Sequence, residues 1–214
     1  VRGYGKRSDT RVRKQLRLGI MGGTFDPIHY GHLVAAEEAL VQFSLDRVVF
    51  MPTGEPARKT HSHVTSAEHR YLMTVIATAS NPDFAVSRLE VDRPGVTYTV
   101  DTMLELRATY GPETDLFFIT GADAILDILT WKDSARLAGA CTLIAATRPG
   151  YDLSRLSTQP GAEAFSIEPM EVPALAISST DIRTRIAARR PVRYLLPEAV
   201  ATYVRKNRLY EGAA

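Results

Sequence analysis

The sequence predicts an α/β fold: a Rossmann-like, doubly wound parallel sheet with helices on both faces. Short apolar runs that have the character of buried strands alternate with longer segments of helical character, and this alternation is typical of parallel sheets. A chain of 214 residues is long enough to bury one good core. We therefore expect a single domain over residues 16–214, preceded by a basic, poorly ordered extension over residues 1–15.

The expected elements follow one another along the chain. Strands are predicted over residues 16–21, 47–51, 84–87, 115–119 and 141–147. Helices are predicted over residues 33–41, 68–80, 99–110, 180–189 and 197–206. Thr65 and Glu68 have the spacing of a capping box, and Gly111 follows the third helix as a stop signal. Polar loops are expected over residues 52–64 and 149–163, and open α/β sheets bind ligands in loops of this kind.

Composition and charge argue against several classes of protein. No apolar run approaches the ~18 residues that a membrane helix needs, and the basic N-terminus lacks the apolar segment of a signal peptide. The lone Cys141 fits a reducing cytoplasm, where we expect the protein to be located. Residues 1–17 carry a net charge of +6, which leaves −4 for the rest of a chain whose total is +2. That body has no basic stripe typical of nucleic-acid binding, so neither nucleic acid nor membrane is an expected partner.

The most informative segment covers residues 22–32 and has the sequence GGTFDPIHYGH. It joins the first predicted strand to the first predicted helix. Its two glycines let the backbone approach a ligand, because no Cβ intervenes. The helix start offers free N–H groups and the positive end of a dipole, which suit a phosphate. His29 and His32 are three residues apart and share one face if the helix begins near His29. The segment therefore predicts a binding site for the phosphates of a nucleotide.

This segment resembles the motif of a known superfamily. The residues His29-Tyr30-Gly31-His32 are similar to the Thr/His-x-Gly-His signature of the nucleotidyltransferases, and the longer GGTFDPIH string is similar to that of their adenylyltransferases. A second string, ISSTDIR over residues 177–183, resembles the superfamily's site for the β- and γ-phosphates. Alone, this string would be a plain helix N-cap, with Ser178 and Asp181 in a capping box.

Three further segments narrow the choice of the substrate that accepts the nucleotidyl group. Residues 97–102 (TYTVDT), 121–131 (GADAILDILTW) and 148–151 (RPGY) resemble segments of the bacterial nicotinate-nucleotide adenylyltransferases, most closely the actinobacterial members. The resemblance extends from about residue 16 to residue 210. One departure lies after the second strand, where the family usually has Pro-Pro-His-Lys and this chain has Glu-Pro-Ala-Arg-Lys over residues 55–59. Lys59 is expected to keep the basic role, with Arg58 as the alternative. His61 and His63 in the same loop have no evident third ligand, so no protein metal site is expected.

The resemblance implies transfer of an adenylyl group from ATP to nicotinate mononucleotide, which gives nicotinate adenine dinucleotide (deamido-NAD) and pyrophosphate in NAD biosynthesis. The histidines would donate to the α- and β-phosphates and two basic residues would stabilise pyrophosphate, so the expected catalytic set is His29, His32, Lys59 and Arg183. The adenine is expected near Ile177 and Phe25. The residues expected to contact ATP are Gly22, Gly23, Thr24, Phe25, Gly121, Asp123, Ile177, Ser178, Ser179 and Thr180. Acceptor contacts are expected from Thr97, Trp131 and Arg148. Mg²⁺ is expected as a cofactor bound mainly through the ATP phosphates, because it keeps several of its waters.

Simpler interpretations remain open for single residues and for the whole chain. Asp123 fits a helix N-cap, Thr97 an ordinary strand residue, and Trp131 a half-buried core residue. The acceptor could instead be nicotinamide mononucleotide or phosphopantetheine. A nucleotide-binding sensor without catalysis is a third alternative, although it would be expected to lack the histidine pair or Arg183, and both are present. The sequence does not determine whether the chain forms a homo-oligomer.

Overall fold

The fold is built on a six-stranded parallel sheet. The computed structural model describes residues 15–56, 64–128, 133–147, 162–173 and 175–212. The strands of the main sheet are β1 (Arg17–Gly23), β2 (Arg47–Pro52), β4 (Phe84–Val86), β6 (Asp115–Gly121), β7 (Thr142–Thr147) and β8 (Ile167–Glu171). A separate parallel pair consists of β3 (Glu55–Pro56) and β5 (Val96–Thr97). The predicted extension over residues 1–15 lies almost wholly outside the described residues.

Helices follow most of the strands. They are α1 (Tyr30–Gln42), α2 (Ala67–Thr78), α3 (Thr99–Tyr110), α4 (Ala122–Ile128), α5 (Ser134–Ala138), α6 (Ser179–Ala187) and α7 (Glu198–Lys206). A short 3₁₀ turn covers Ala162–Ala164. None of the helices in the described part of the chain is long and apolar enough to span a membrane.

The order of strands creates a natural ligand crevice. Across the sheet the order is β4-β2-β1-β6-β7-β8, and every pairing is parallel. The chain winds outward from β1 in one direction and, from β6, in the other, so the switch point lies between β1 and β6. Ligands of open α/β sheets bind outside the carboxyl ends of the strands at this point.

Two apolar clusters cover the two faces of the sheet. Successive strand residues point to opposite faces, so Ile20 belongs to one cluster and Met21 to the other. Helices α1, α2, α6 and α7 contribute to the cluster of Met21, whereas α3, α4 and α5 contribute to the cluster of Ile20. Helices therefore lie on both faces, and the predicted fold class is confirmed.

Some local predictions differ from the structure. The predicted capping box at Thr65 is wrong, because Ser66 is the N-cap of α2 and its hydroxyl accepts the N–H of His69 at 3.4 Å. Strand β8 was not predicted, because its sequence is polar, contains Pro169 and buries only Met170, as fits an edge strand. The small sheet of β3 and β5 and the short helices α4 and α5 were also absent from the prediction.

Candidate active site

The site begins where β1 ends at the switch point. Residues 24–29, the β1–α1 turn, connect Gly23 to the first residue of α1. A Cβ on Gly22 would lie 2.8 Å from the ring of Phe118, and one on Gly23 would lie 2.9 Å from the ring of Phe25. Neighbouring aromatic rings therefore require these glycines, which is a different reason from the predicted one. That the two residues also contact ATP remains a prediction.

The two histidines form a stacked pair at the start of α1. His29 is the N-cap residue and His32 lies in the first turn, so they share one face as predicted. Their ring centroids are 3.8 Å apart and their planes differ by 29°. The backbone N–H of His29 donates to Nδ1 of His32 at 3.2 Å. A neutral His32 ring therefore carries its proton on Nε2, where it can donate a hydrogen bond to a ligand.

Burial keeps both imidazoles neutral at pH 7. It lowers the pKa of His29 from 6.5 to about 4. Burial also lowers the pKa of His32 well below 6.5, with a smaller contribution from the adjacent His29. Nδ1 of His29 is buried and has no hydrogen-bond partner among the residues that the structure describes. Each neutral ring can therefore donate a hydrogen bond from its N–H to an anion. A bound phosphate would raise the pKa of both rings and favour their protonated forms.

Phe25 and Gly31 fix the position of the histidine rings. Phe25 is 2% exposed, and its ring meets His32 edge-on with centroids 5.0 Å apart. Its φ of 50° lies in a region that bulky residues rarely adopt. Because the ring is buried, any contact between Phe25 and ATP has to use its backbone. A Cβ on Gly31 would lie 3.0 Å from two atoms of the His29 ring, so a side chain between the histidines would press on His29.

The second predicted motif lies beside the first. Arg183 donates from Nη1 to the carbonyl of Asp26 at 2.8 Å, and Ser179 donates from its hydroxyl to the carbonyl of Pro27 at 2.9 Å. The carbonyl oxygen of Ile177 lies 3.8 Å from the position of a Cβ on Gly31. The starts of α1 and α6 therefore lie next to each other, and two helix N-termini together make a favourable environment for phosphates.

The hydroxyl groups of this motif already have protein partners. Ser178 is the N-cap of α6 and accepts the N–H of Asp181 at 3.1 Å, so the plain N-cap interpretation is confirmed. Thr180 accepts a hydrogen bond from Nη2 of Arg183 at 3.3 Å. Contacts between ATP and residues 177–180 remain a prediction, and the backbone N–H groups of the first turn are the donors best suited to make them.

The remaining predicted site residues, for the acceptor, for ATP and for catalysis, are only partly described. Thr97 is a strand residue of β5, 5% exposed, and its hydroxyl donates to the carbonyl of Glu55 at 3.3 Å. Gly121 ends β6 at the switch point, and the space next to it is open. Asp123 is the second residue of α4, and its side chain is outside the described part. Lys59, Trp131 and Arg148, together with the alternative Arg58, also lie outside the described residues.

The structure adds three residues to the site, Arg70, Asp26 and Tyr210, to which the sequence analysis had given no role of their own. Arg70 is 1% exposed and donates to carbonyl oxygens around the site. Asp26 is 3% exposed and accepts the hydroxyl of Tyr210 at 2.7 Å. A signal for Arg70 existed, since it lies three and seven residues before the buried Met73 and Ala77 on one face of α2.

The described donors suit an anion better than a metal ion. Among the described residues, no group of three or more His, Cys, Asp or Glu side chains could hold a metal. The one carboxylate of the β1–α1 turn, Asp26, accepts hydrogen bonds from Tyr210 and from the backbone of Thr65. Chemically, the site offers neutral imidazoles, a guanidinium and two helix starts, a set that can bind and neutralise phosphates.

Comparisons with known proteins agree with this geometry. Residues 20–185 match the family model described as cytidylyltransferase-like. A protein of Moorella thermoacetica named "Probable nicotinate-nucleotide adenylyltransferase" is 59% identical over 203 residues, which cover 93% of this chain and 94% of the relative. A protein of Streptomyces coelicolor with the same name is 57% identical over 192 residues, which cover 90% and 100%.

A solved structure has the same fold. It is the nicotinic acid mononucleotide adenylyltransferase of Plasmodium falciparum in complex with NaAD, with a TM-score of 0.74 and 22% identity over 91% of this chain and 97% of that one. The family model and the two relatives of more than 50% identity lead to one conclusion, with which the stacked histidine pair and the adjoining helix starts agree. The chain belongs to the nicotinate-nucleotide adenylyltransferases, within the cytidylyltransferase-like family.

Proposed function

We propose that the protein catalyses transfer of the adenylyl group of ATP to nicotinate mononucleotide, forming nicotinate adenine dinucleotide and pyrophosphate. The observation that carries this proposal is the stacked pair of His29 and His32 at the start of α1, tied through the β1–α1 turn to Arg183 on α6. High identity to proteins named for this activity supports the choice of substrates.

The chemistry needs positioning and charge neutralisation more than proton transfer. The phosphate of the mononucleotide is anionic at neutral pH and needs no general base. The protein has to hold it in line with the α-phosphorus of ATP and to stabilise the charge that develops on the phosphates. His32 would donate from Nε2 to a phosphate oxygen, and Arg183 would contribute its fixed positive charge near the departing pyrophosphate.

Mg²⁺ is the proposed cofactor. When bound with ATP it would neutralise phosphate charge. The described residues give it no ready carboxylate cage, so the ATP phosphates would be its main ligands. The protein's own part would be to bind the phosphates at the starts of α1 and α6 and to orient them.

The acceptor side of the site is proposed from the resemblance. Lys59 would assist Arg183, and Thr97, Trp131 and Arg148 would contact the mononucleotide. Gly121 and Asp123 would lie close to ATP at the end of β6, and the open space beside Gly121 supports this proposal. We further propose that one domain carries the whole site.

The test is an acceptor comparison with the purified protein, ATP and Mg²⁺. Pyrophosphate release is measured with nicotinate mononucleotide, nicotinamide mononucleotide or phosphopantetheine as the acceptor. We expect the highest kcat/KM with nicotinate mononucleotide. A higher value with either other acceptor would replace the proposed substrate, and ATP binding without turnover on any of them would favour a sensor.

A further inference from the structure

A buried arginine joins three segments around the site. Arg70 on α2 is 1% exposed, and its guanidinium donates to three backbone carbonyl oxygens. The bonds run from Nε, Nη1 and Nη2 at 2.8, 2.8 and 2.7 Å to the carbonyls of Thr65, Thr24 and Gly54. These carbonyls belong to the segment before α2, to the β1–α1 turn and to the segment after β2. One planar group therefore fixes the turn against its two neighbours.

A tyrosine from the end of the chain holds the same turn from another side. The hydroxyl of Tyr210, which follows α7, donates to Oδ1 of Asp26 at 2.7 Å. Burial, followed by the charge of Asp26, raises the pKa of Tyr210, so the phenol remains protonated and donates. The second oxygen, Oδ2, accepts the N–H of Thr65 at 3.3 Å. Asp26 therefore has a donor on each oxygen.

Charge balance explains why an arginine can be buried here. Burial lowers the pKa of Arg70, and the charge of the nearby Asp26 carboxylate acts in the opposite direction. A buried charge is tolerated when it is paired and fully hydrogen-bonded. A lysine would keep the charge, but its ammonium is a point donor on a flexible stem and cannot hold three carbonyls in one plane.

The turn held in this way contacts two groups that are proposed to bind the phosphates. The residue after Thr24 is Phe25, whose ring fixes His32 edge-on. The carbonyl of Asp26 accepts the hydrogen bond from Arg183. A displacement of the turn would therefore shift both His32 and Arg183.

We propose that Arg70 and Tyr210 are positioning residues for adenylyl transfer, which act by holding the β1–α1 turn so that His32 and Arg183 meet the phosphates together. This proposal rests on the proposed function. Misplacement of reacting groups by about 1 Å can cost about 10²-fold in rate.

The chain offers a matched control for each residue. Arg107 also donates to several backbone carbonyls, among them Gly111 and Ala140, but it does so near the amino ends of β6 and β7, away from the turn. Tyr203 on α7 also has a hydroxyl with one side-chain partner, Nδ1 of His69 at 2.8 Å. None of these hydrogen bonds of the two control residues reaches residues 24–29.

The first experiment compares Arg70→Lys with Arg107→Lys, using kcat and the melting temperature. Both variants should melt below the wild type. Only Arg70→Lys should lose turnover, by about 10²-fold, while Arg107→Lys stays within about twofold. Equal kcat in the two variants would overturn the proposal for Arg70.

The second experiment uses phenylalanine variants, which keep the rings and are expected to fold. Tyr210→Phe should lower kcat about tenfold with KM for ATP little changed, whereas Tyr203→Phe should leave kcat unchanged. If Tyr210→Phe turns over at the wild-type rate, Tyr210 has no positioning role.

A double-mutant cycle tests the route of action. If Arg70 acts in part through His32, Arg70→Lys should lower kcat clearly less than 10²-fold in a protein that already carries His32→Ala, because only the displacement of Arg183 then affects turnover. A full 10²-fold loss in that background would show that Arg70 acts on something else and would overturn the stated route. An inactive wild type would instead disprove the proposed function, so the two failures are distinguishable.

Discussion

At both ends of the parallel sheet an arginine guanidinium donates hydrogen bonds to backbone carbonyl oxygens, but these bonds hold different parts of the fold together. At the carboxyl end, Arg70 is buried and its three carbonyl partners lie in the β1–α1 turn and in the two segments next to it. At the amino end, Arg107 is half-buried and its carbonyl partners lie in the turns that lead into β6 and β7. The bonds are chemically alike. Their place in the fold decides whether they hold a site together or only connect strands and helices.

The ends also differ in how they treat charge. The amino end pairs Arg17 with Asp115 at 3.1 Å, and both side chains are about one third exposed, so this pair contributes little to stability. The carboxyl end buries a carboxylate, a guanidinium and the imidazole of His29, with His32 half-buried beside it, and the pKa of both imidazoles is lowered. Such a concentration of shifted groups is typical of functional sites and makes that end sensitive to substitution and pH.

The largest effect is expected for the histidine that can donate from Nε2. His32→Ala should lower kcat about 10²- to 10³-fold, because it removes a preorganised donor to the phosphates. The melting temperature should change little compared with this loss. Steady-state pyrophosphate release gives kcat, and a variant with near-normal turnover would remove His32 from the mechanism.

The pH dependence of stability should reveal the buried imidazoles. The unfolded chain binds protons on His29 near pH 6.5, whereas the folded chain does so only near pH 4. The free energy of unfolding should therefore fall as the pH drops from about 6.5 to 4, by at most about 3 kcal/mol for this group. His29→Asn, which retains a good N-cap residue, should flatten that slope in urea titrations. An unchanged slope would contradict the burial argument.

Two glycine-to-alanine substitutions, one at each end of the sheet, compare the effect of an added methyl group on turnover. Gly31→Ala should lower kcat about tenfold, because its Cβ would press on the His29 ring at 3.0 Å. Gly139→Ala at the amino end should leave kcat unchanged, since the nearest atom lies 3.9 Å from its Cβ position. Kinetics of both variants decide the matter, and equal kcat values would show that the His29 ring tolerates the contact.

The smallest effect is expected for the N-terminal extension. Deletion of residues 1–15 removes the exposed hydrogen bond from Gln15 to Asp115 at the amino end, a bond of about 1 kcal/mol at most. Activity should stay at the wild-type level and the melting temperature should shift only slightly. A large loss of activity would show that the extension reaches the carboxyl end.

The sequence predicted those features of the site that depend on short spacings. His29 and His32 stack because they are three residues apart at a helix start, and Ser178 caps α6 for a similarly local reason. The contact between Asp26 and Tyr210 spans 184 residues, so no local pattern could indicate it. Arg70 was visible only as a charge on the buried face of a helix.

Other differences arose where tertiary packing decided between local alternatives. Both Thr65 and Ser66 can cap α2, and the backbone of Thr65 is instead bonded to Asp26 and Arg70. The glycines at the end of β1 were expected to make room for a ligand, whereas the rings of Phe118 and Phe25 occupy the space beside them. These reasons depend on groups distant in sequence.

The most direct test measures both products with three proteins in one assay. Wild type, Arg107→Lys and His32→Ala are each given ATP, Mg²⁺ and nicotinate mononucleotide, and nicotinate adenine dinucleotide and pyrophosphate are quantified. The wild type and Arg107→Lys should form the two products in equal amounts at similar rates, and His32→Ala should be about 10²- to 10³-fold slower. Absence of the dinucleotide with the wild type, or equal rates for all three proteins, would contradict the account of a phosphate-binding site at the carboxyl end of the sheet.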